Sequence, residues 1–147
     1  MPTRTARTAW TGGLQDGSGQ VELVSSSVGS FEVSFPKRAA DEAGGVTSPE
    51  ELVAAAHSSC FSMQLANLIA EAGGTPQSLD VTADVSLGPD KANGGFRLTG
   101  IALTVVGRVD GLDAAAFEKA AQEAKLSCPV SKALSSVDMT LDASLAQ

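Results

Sequence analysis

A chain of 147 residues, 43% hydrophobic and 18% charged, is neither disordered nor fibrous, and it is long enough to close one core or to share one with a partner. Its net charge of −7 excludes a nucleic-acid partner, because no basic run longer than Lys37-Arg38 offsets the acidity. One histidine and two cysteines, with no CxxC or HxxxH spacing, give no metal site, and no glycine pattern suits a nucleotide, so no cofactor is expected.

Residues 1–13 carry no apolar stretch of the kind a secretory leader needs, so a reducing cytoplasm is expected, with the cysteines as thiols or a transient pair. Short strands are predicted over Arg4–Trp10, Gln20–Ser25 and Ser30–Phe35, with "TGGLQDGSG" as a turn between the first two. Phe31, Val33 and Phe35 alternate with polar residues, as on a half-buried strand. Pro36 should end that run, leaving "AADEAGG" as a loop.

Ser48 then opens a long helix. It is a good N-cap, Pro49 suits the first helical position, and Glu51 completes a Ser-x-x-Glu capping box, which leaves Glu50 without a capping duty. Gly73-Gly74 stops the helix after Ala72, at a length of about 35 Å. Residues 52–70 carry no formal charge and could imitate a membrane span by length. His57, Ser58, Ser59, Ser62, Gln64 and Asn67 are too many polar groups for hydrocarbon, so a central helix in a protein or dimer core is expected, with no membrane.

Beyond it, Leu79, Val81, Ala83, Val85 and Leu87 keep a period of two, and "GPDKANGG" forms a hairpin loop. The returning strand shows Phe96, Leu98, Ile101, Leu103 and Val105, with a phase slip at Gly100 that reads as a bulge. Asp113 caps a second helix with Phe117 and Ala121 inward. Cys128 precedes Pro129, where a short third helix begins, and Val137, Met139, Leu141, Ala143 and Leu145 alternate as a final strand. The order β-β-β-α-β-β-α-α-β describes one α+β domain, residues 1–147, with mainly antiparallel sheets around long central helices.

The candidate chemistry centres on two thiols. Taken alone, Cys60 reads as a small hydrophobe on a buried helix, too far from the N-terminus to feel the dipole; to react it needs a cation brought from elsewhere. Cys128, at a helix start, is open between a core cysteine and an activated thiol. A reversible Cys60–Cys128 disulfide depends on a Cα spacing that sequence does not give. His57 and Cys60 are neighbours at i and i+3, but a cysteine–histidine hydrolase dyad would lack both an oxyanion hole and a favourable geometry; His57 reads better as a hydrogen-bonded interior residue. Arg38 and Glu50, considered singly, are solvated charges.

"SPEELVAAAHSSCFSM" and "CPVSKAL" resemble the two cysteine motifs of the OsmC/Ohr family, the osmotically inducible protein C and organic hydroperoxide resistance proteins. Trp10-x-Gly12, "TADVSLG" and "GGFRLTGIAL" resemble the OsmC branch, so the likeness runs over nearly the whole chain. The resemblance implies a thiol-dependent peroxidase that reduces organic hydroperoxides to alcohols. Cys60 would be the peroxidatic cysteine, Cys128 the resolving one, and Glu50 would orient an arginine that holds the Cys60 thiolate. That arginine is assigned to Arg38, with Lys37 as the substitute if the loop register differs by one. The reductant implied is a dithiol, of lipoyl type. Glu50 and Cys60 stand about 15 Å apart along one helix, so antiparallel packing of two such helices in an intertwined homodimer, each chain completing the other's site, is expected. The alternatives are a non-catalytic redox sensor or apolar-ligand carrier on the same dimer, and, third, the hydrolase.

Overall fold

The computed structural model describes all residues 1–147, which divide into two compact units, Met1–Leu52 and Val53–Gln147. The first unit holds strands β1 (Arg7–Thr11), β2 (Ser18–Glu22) and β3 (Ser30–Val33) in one antiparallel sheet of order β1-β2-β3. The β1–β2 turn closes where Asp16 Oδ1 accepts the Gly13 amide at 2.9 Å, and Gly12 adopts a φ of 91° that favours glycine. Val21 is the one buried apolar side chain of this unit, and Phe31 is 41% exposed. The alternation of β3 is therefore real as a pattern, but Phe31 is not covered within the chain.

A four-residue helix, α1 (Phe35–Arg38), stands between the expected strand, whose last residue Phe35 it takes over, and the expected loop. Ser34 Oγ accepts the Lys37 amide at 3.4 Å, and Pro36 lies in the first turn, where its missing N–H costs nothing. The proline expected to end a strand instead helps to open a helical turn.

Helix α2 (Pro49–Glu71) starts in the first unit and runs through the second. Ser48 Oγ accepts the Glu51 amide at 3.1 Å, as a capping box requires, while the Glu51 carboxylate is taken by the Thr47 hydroxyl at 2.6 Å rather than by the cap's own amide. Its end is marked by Gly73 at φ 87° and by the Gly74 amide bonded to the Ile69 carbonyl at 2.9 Å, the reverse turn of a glycine-stopped helix. One face of α2 buries His57, Phe61, Leu65, Leu68 and Ile69. The other exposes Ala55, Ala56, Ser59, Met63, Asn67 and Ala70. By length and composition α2 could cross a membrane, yet its inner face forms part of a protein core.

That core belongs to the second unit. Strands β4 (Thr75–Pro89) and β5 (Phe96–Asp110) form a long antiparallel hairpin, and Ile101, Leu103 and Val105 of β5 lie against Phe61, Leu65 and Ile69 in one apolar cluster. Ser86 pairs with Gly100 and Leu87 with Leu98, so Thr99 is the extra residue of a bulge next to Gly100, where the sequence pattern slipped. Helix α3 (Ala114–Ser127) is capped by Asp113 Oδ1 on the Ala116 amide at 2.8 Å and turns Phe117, Ala121 and Ala124 inward, all fully buried. After the short helix α4 (Pro129–Ala133), β6 (Met139–Leu145) joins β5 in parallel, because α3 and α4 together form a crossover rather than a hairpin. The sheets are mainly antiparallel, as expected, with this one parallel edge.

Gly107 of β5 lies under the Phe117 ring: a Cβ there would stand 2.6 Å from Phe117 Cζ. Gly107→Ala should therefore overpack the core and cost about 1–3 kcal/mol. In urea unfolding it should lower the midpoint with no change in slope.

Candidate functional site

The sequence-predicted residues fall into two groups, both anchored on α2. In the first unit, Arg38 at the end of α1 meets Glu50 in the first turn of α2. Nε lies 3.1 Å from both carboxylate oxygens and Nη2 lies 2.6 Å from Oε1, a forked charge-assisted pair. The hydrogen bond that Arg38 donates to Glu50 raises the Arg38 pKa further. Burial, the largest single influence, would raise the Glu50 carboxyl, but the hydrogen bonds from Arg38, one from the backbone and the Arg38 charge together outweigh it and hold the group below its ordinary range. The neighbouring Lys37 makes no such pair; its Nζ lies over Gly44. Of the two cations singled out from the sequence, Arg38 is the one on Glu50, and 32% of its side chain remains accessible.

Arg38 also lines an apolar cavity of about 290 Å³ with Trp10, Leu14, Val33, Phe35 and Pro49. No periodicity marked this hollow in advance, since its residues come from four separate elements.

In the second unit, α2 meets the start of α4. Gln64 Nε2 donates to Ser127 Oγ at 3.0 Å, and His57 Nε2 lies 2.7 Å from Ser131 Oγ, which pins the two helical segments side by side. Between these bonds Cys60 packs against the cluster that holds Cys128, the two thiols shift each other's ionisation, and both are free. Cys128 is fully buried, whereas Cys60 is only partly covered.

Their electrostatics differ. Burial and the Cys128 thiol push the Cys60 thiol up, with only the Val130 amide opposing, and no basic side chain of the chain acts on it. Burial would also raise Cys128, but the Ser131 amide, the Cys60 thiol, the Ser131 hydroxyl and the Val130 amide together bring it below its ordinary value. Glu50, which carries Arg38, lies ten residues and about 15 Å back along α2.

His57 is fully buried and shifted down by that burial, so it is neutral. Its Nε2 faces Ser131 rather than Cys60, and the hydrogen bond that a Cys60–His57 hydrolase dyad needs is not formed. Ser131 was not foreseen as a site residue, although its position three residues after Cys128, in the first turn of the helix, was the available signal.

An α+β chain with one of two neighbouring thiols on its long helix and a forked arginine–glutamate pair at that helix's start defines the class of protein to which the chain is compared. Residues 42–142 match the family described as OsmC-like protein, and the chain belongs to it. It is 45% identical over 133 residues, 90% of each chain, to peroxiredoxin OsmC of Escherichia coli strain K12. Among solved structures, an organic hydroperoxide resistance protein from Elizabethkingia anophelis superposes with a TM-score of 0.79 at 30% identity, over 99% of this chain and 98% of that one. The organic hydroperoxide resistance protein OsmC from Legionella pneumophila gives 0.78 at 28% identity over 98% of each.

Proposed function

We propose that the chain is a thiol-dependent peroxidase that reduces organic hydroperoxides to alcohols, residues 1–147 acting as one functional domain in the cytoplasm. The observation that carries this reading is the unequal burial of two neighbouring thiols: Cys60 is partly open, so that a peroxide can meet it, and Cys128 is fully buried. The names of the relatives, peroxiredoxin and organic hydroperoxide resistance protein, support it.

In the first step the Cys60 thiolate attacks the terminal peroxide oxygen, the O–O bond breaks, and the alkoxide leaves as the alcohol after taking a proton. Cys60 is left as the sulfenic acid. Cys128 then attacks the Cys60 sulfur and expels hydroxide, giving a Cys60–Cys128 disulfide that protects against overoxidation. A dithiol, of lipoyl type, returns both cysteines to thiols by exchange. The apolar hollow beside Arg38 suits an alkyl group, so an organic hydroperoxide should react with a larger second-order rate constant than hydrogen peroxide; the reverse order in stopped-flow assays would overturn this preference.

Arg38 reaches Cys60 across a homodimer. An antiparallel crossing of two α2 helices centred at Ala55 sets residue 50 of one level with residue 60 of the other. Ala55 and Ala56 are both exposed and small, which lets two helices approach closely, and the uncharged stripe that continues through Ser59 and Met63 is left open within the single chain. Each chain's Arg38–Glu50 pair then supplies the guanidinium for its partner's thiolate, and that cation reverses the order in which the two thiols ionise.

The test is a stoichiometric reaction of reduced protein with one equivalent of cumene hydroperoxide, followed by thiol counting and intact mass. Loss of both thiols with a decrease of about 2 Da supports the cycle. Untouched thiols would favour a carrier built around the apolar cavity, and oxidation without steady turnover on added dithiol would favour a sensor.

A further inference from the structure

His57 has no part in the steps above, yet it is the chain's one histidine and is fully buried. A buried imidazole is a costly way to fill a core unless its polar atoms are used. Its Nε2 is used, on Ser131 Oγ at 2.7 Å, while Nδ1 is buried without a partner. That asymmetry assigns the tautomer. An orphaned buried N–H is rarer than an orphaned lone pair, so the hydrogen sits on Nε2 and Nδ1 keeps the bare pair. Ser131 Oγ therefore accepts from His57, and its own hydrogen is left to point elsewhere.

Ser131 stands in the first turn of α4, three residues after Cys128 at its N-cap, and its amide and hydroxyl both favour the Cys128 thiolate. A serine in a helix otherwise tends to turn its hydroxyl back onto the carbonyl one turn earlier. With a lone pair of Oγ engaged by His57, the hydrogen is free to turn toward the sulfur one turn back. The geometry therefore allows an uncharged line of donors, His57 Nε2–H to Ser131 Oγ, then Ser131 O–H toward Cys128 Sγ.

We propose that His57 and Ser131 are positioning residues for disulfide formation: His57 turns the Ser131 hydroxyl onto Cys128 Sγ and so sustains the buried thiolate that attacks the Cys60 sulfenic acid. The proposal rests on the peroxidase reading for its chemical step. In that step the Cys128 electron pair forms the S–S bond, the Cys60 S–O bond breaks, and hydroxide leaves to combine with the proton that Cys128 released. Cys128 is oxidised, the Cys60 sulfur is reduced, and neither His57 nor Ser131 changes. A neutral donor line suits a sealed site because it favours the thiolate without burying a second charge that would need its own partner.

A rapid-quench single turnover with cumene hydroperoxide separates the two steps: dimedone trapping follows the sulfenic acid, and intact mass follows the disulfide. Ser131→Ala and His57→Leu should slow the second step about tenfold or more, with the first within about twofold of the parent. Ser131→Thr and His57→Gln, which retain a hydroxyl and an N–H donor, should restore most of the second rate. Wild-type resolution in the Ala and Leu variants would overturn the proposal, and so would equal slowing in all four, which marks a packing role. If His57→Leu does not fold, Ser131→Ala decides alone, since it removes only an oxygen. A second measurement is independent of peroxide. In a Cys60→Ser background, thiolate absorbance near about 240 nm should titrate at higher pH once Ser131→Ala is added. An unmoved titration would overturn the donor line even if the parent never forms a sulfenic acid, which is the outcome that would end the peroxidase reading instead.

Discussion

Arg38→Ala should slow the oxidation of Cys60 by an organic hydroperoxide about 10²–10³-fold, the loss usual when one preorganised charge donor is removed from a reacting centre. The reason is the isolation of Cys60 within its own chain, where burial and Cys128 both work against its thiolate. Arg38→Lys should recover only part of the rate, because an ammonium keeps the charge but cannot fork onto Glu50 while reaching a sulfur. Mixing decides where the cation comes from. If Arg38 acts across a two-fold axis, Arg38→Ala chains unfolded and refolded with Cys60→Ser chains form heterodimers with one intact site. Random pairing then returns about a quarter of the parent activity. If Arg38 acts within its own chain, the mixture stays inactive. Acid should mimic the substitution. Arg38 holds the Glu50 carboxyl below its ordinary range, so the pair is fully present above that range and is lost as pH falls through the lowered value.

Cys60→Ser should abolish peroxide consumption outright, whereas Cys128→Ser should permit a single turnover and then stop. An alcohol in place of Cys60 is a far poorer nucleophile, so no sulfenic acid forms. Without Cys128 the sulfenic acid persists and climbs to the sulfinic state under excess peroxide, read as a mass gain of about 32 Da. The contrast is checked by following hydroperoxide loss with an added dithiol: no reaction for the first variant, and for the second one equivalent for the sulfenic acid and a second as the sulfinic acid forms. A Cys128→Ser protein that turned over as fast as the parent would break the disulfide cycle and favour direct reduction of Cys60 by the dithiol.

Much of the architecture was legible because its signals are local. The Ser48 cap, the Gly73 stop, the slip at Gly100 and the inward Phe117 and Ala121 each follow from a few neighbouring residues, and the structure holds all of them. Helix α1 escaped notice since a four-residue helix has no periodicity and rests on one serine cap. The parallel entry of β6 is set by how a crossover packs, which no pattern within Met139–Leu145 records.

The site was legible in identity more than in arrangement. Lys37 and Arg38 are adjacent, and only the turn of α1 settles which one faces Glu50. That α2 meets α4 through Gln64–Ser127 and His57–Ser131 depends on contacts more than sixty residues apart in the chain. Ser131 stayed hidden for that reason, since its partner His57 lies on another element.

A thiol pair set side by side in the reduced chain, on segments held together by Gln64–Ser127 and His57–Ser131, has a consequence for whatever regenerates it. Closing the bond calls for no hinge, so the outline of the oxidised molecule should differ little from that of the reduced one. A reductant then has no change of shape to recognise and must instead thread a slender reactive end down to the sulfur of Cys60. A flexible tethered dithiol can do this; a bulky folded donor, with its thiols set flush in its own surface, would be held at the rim.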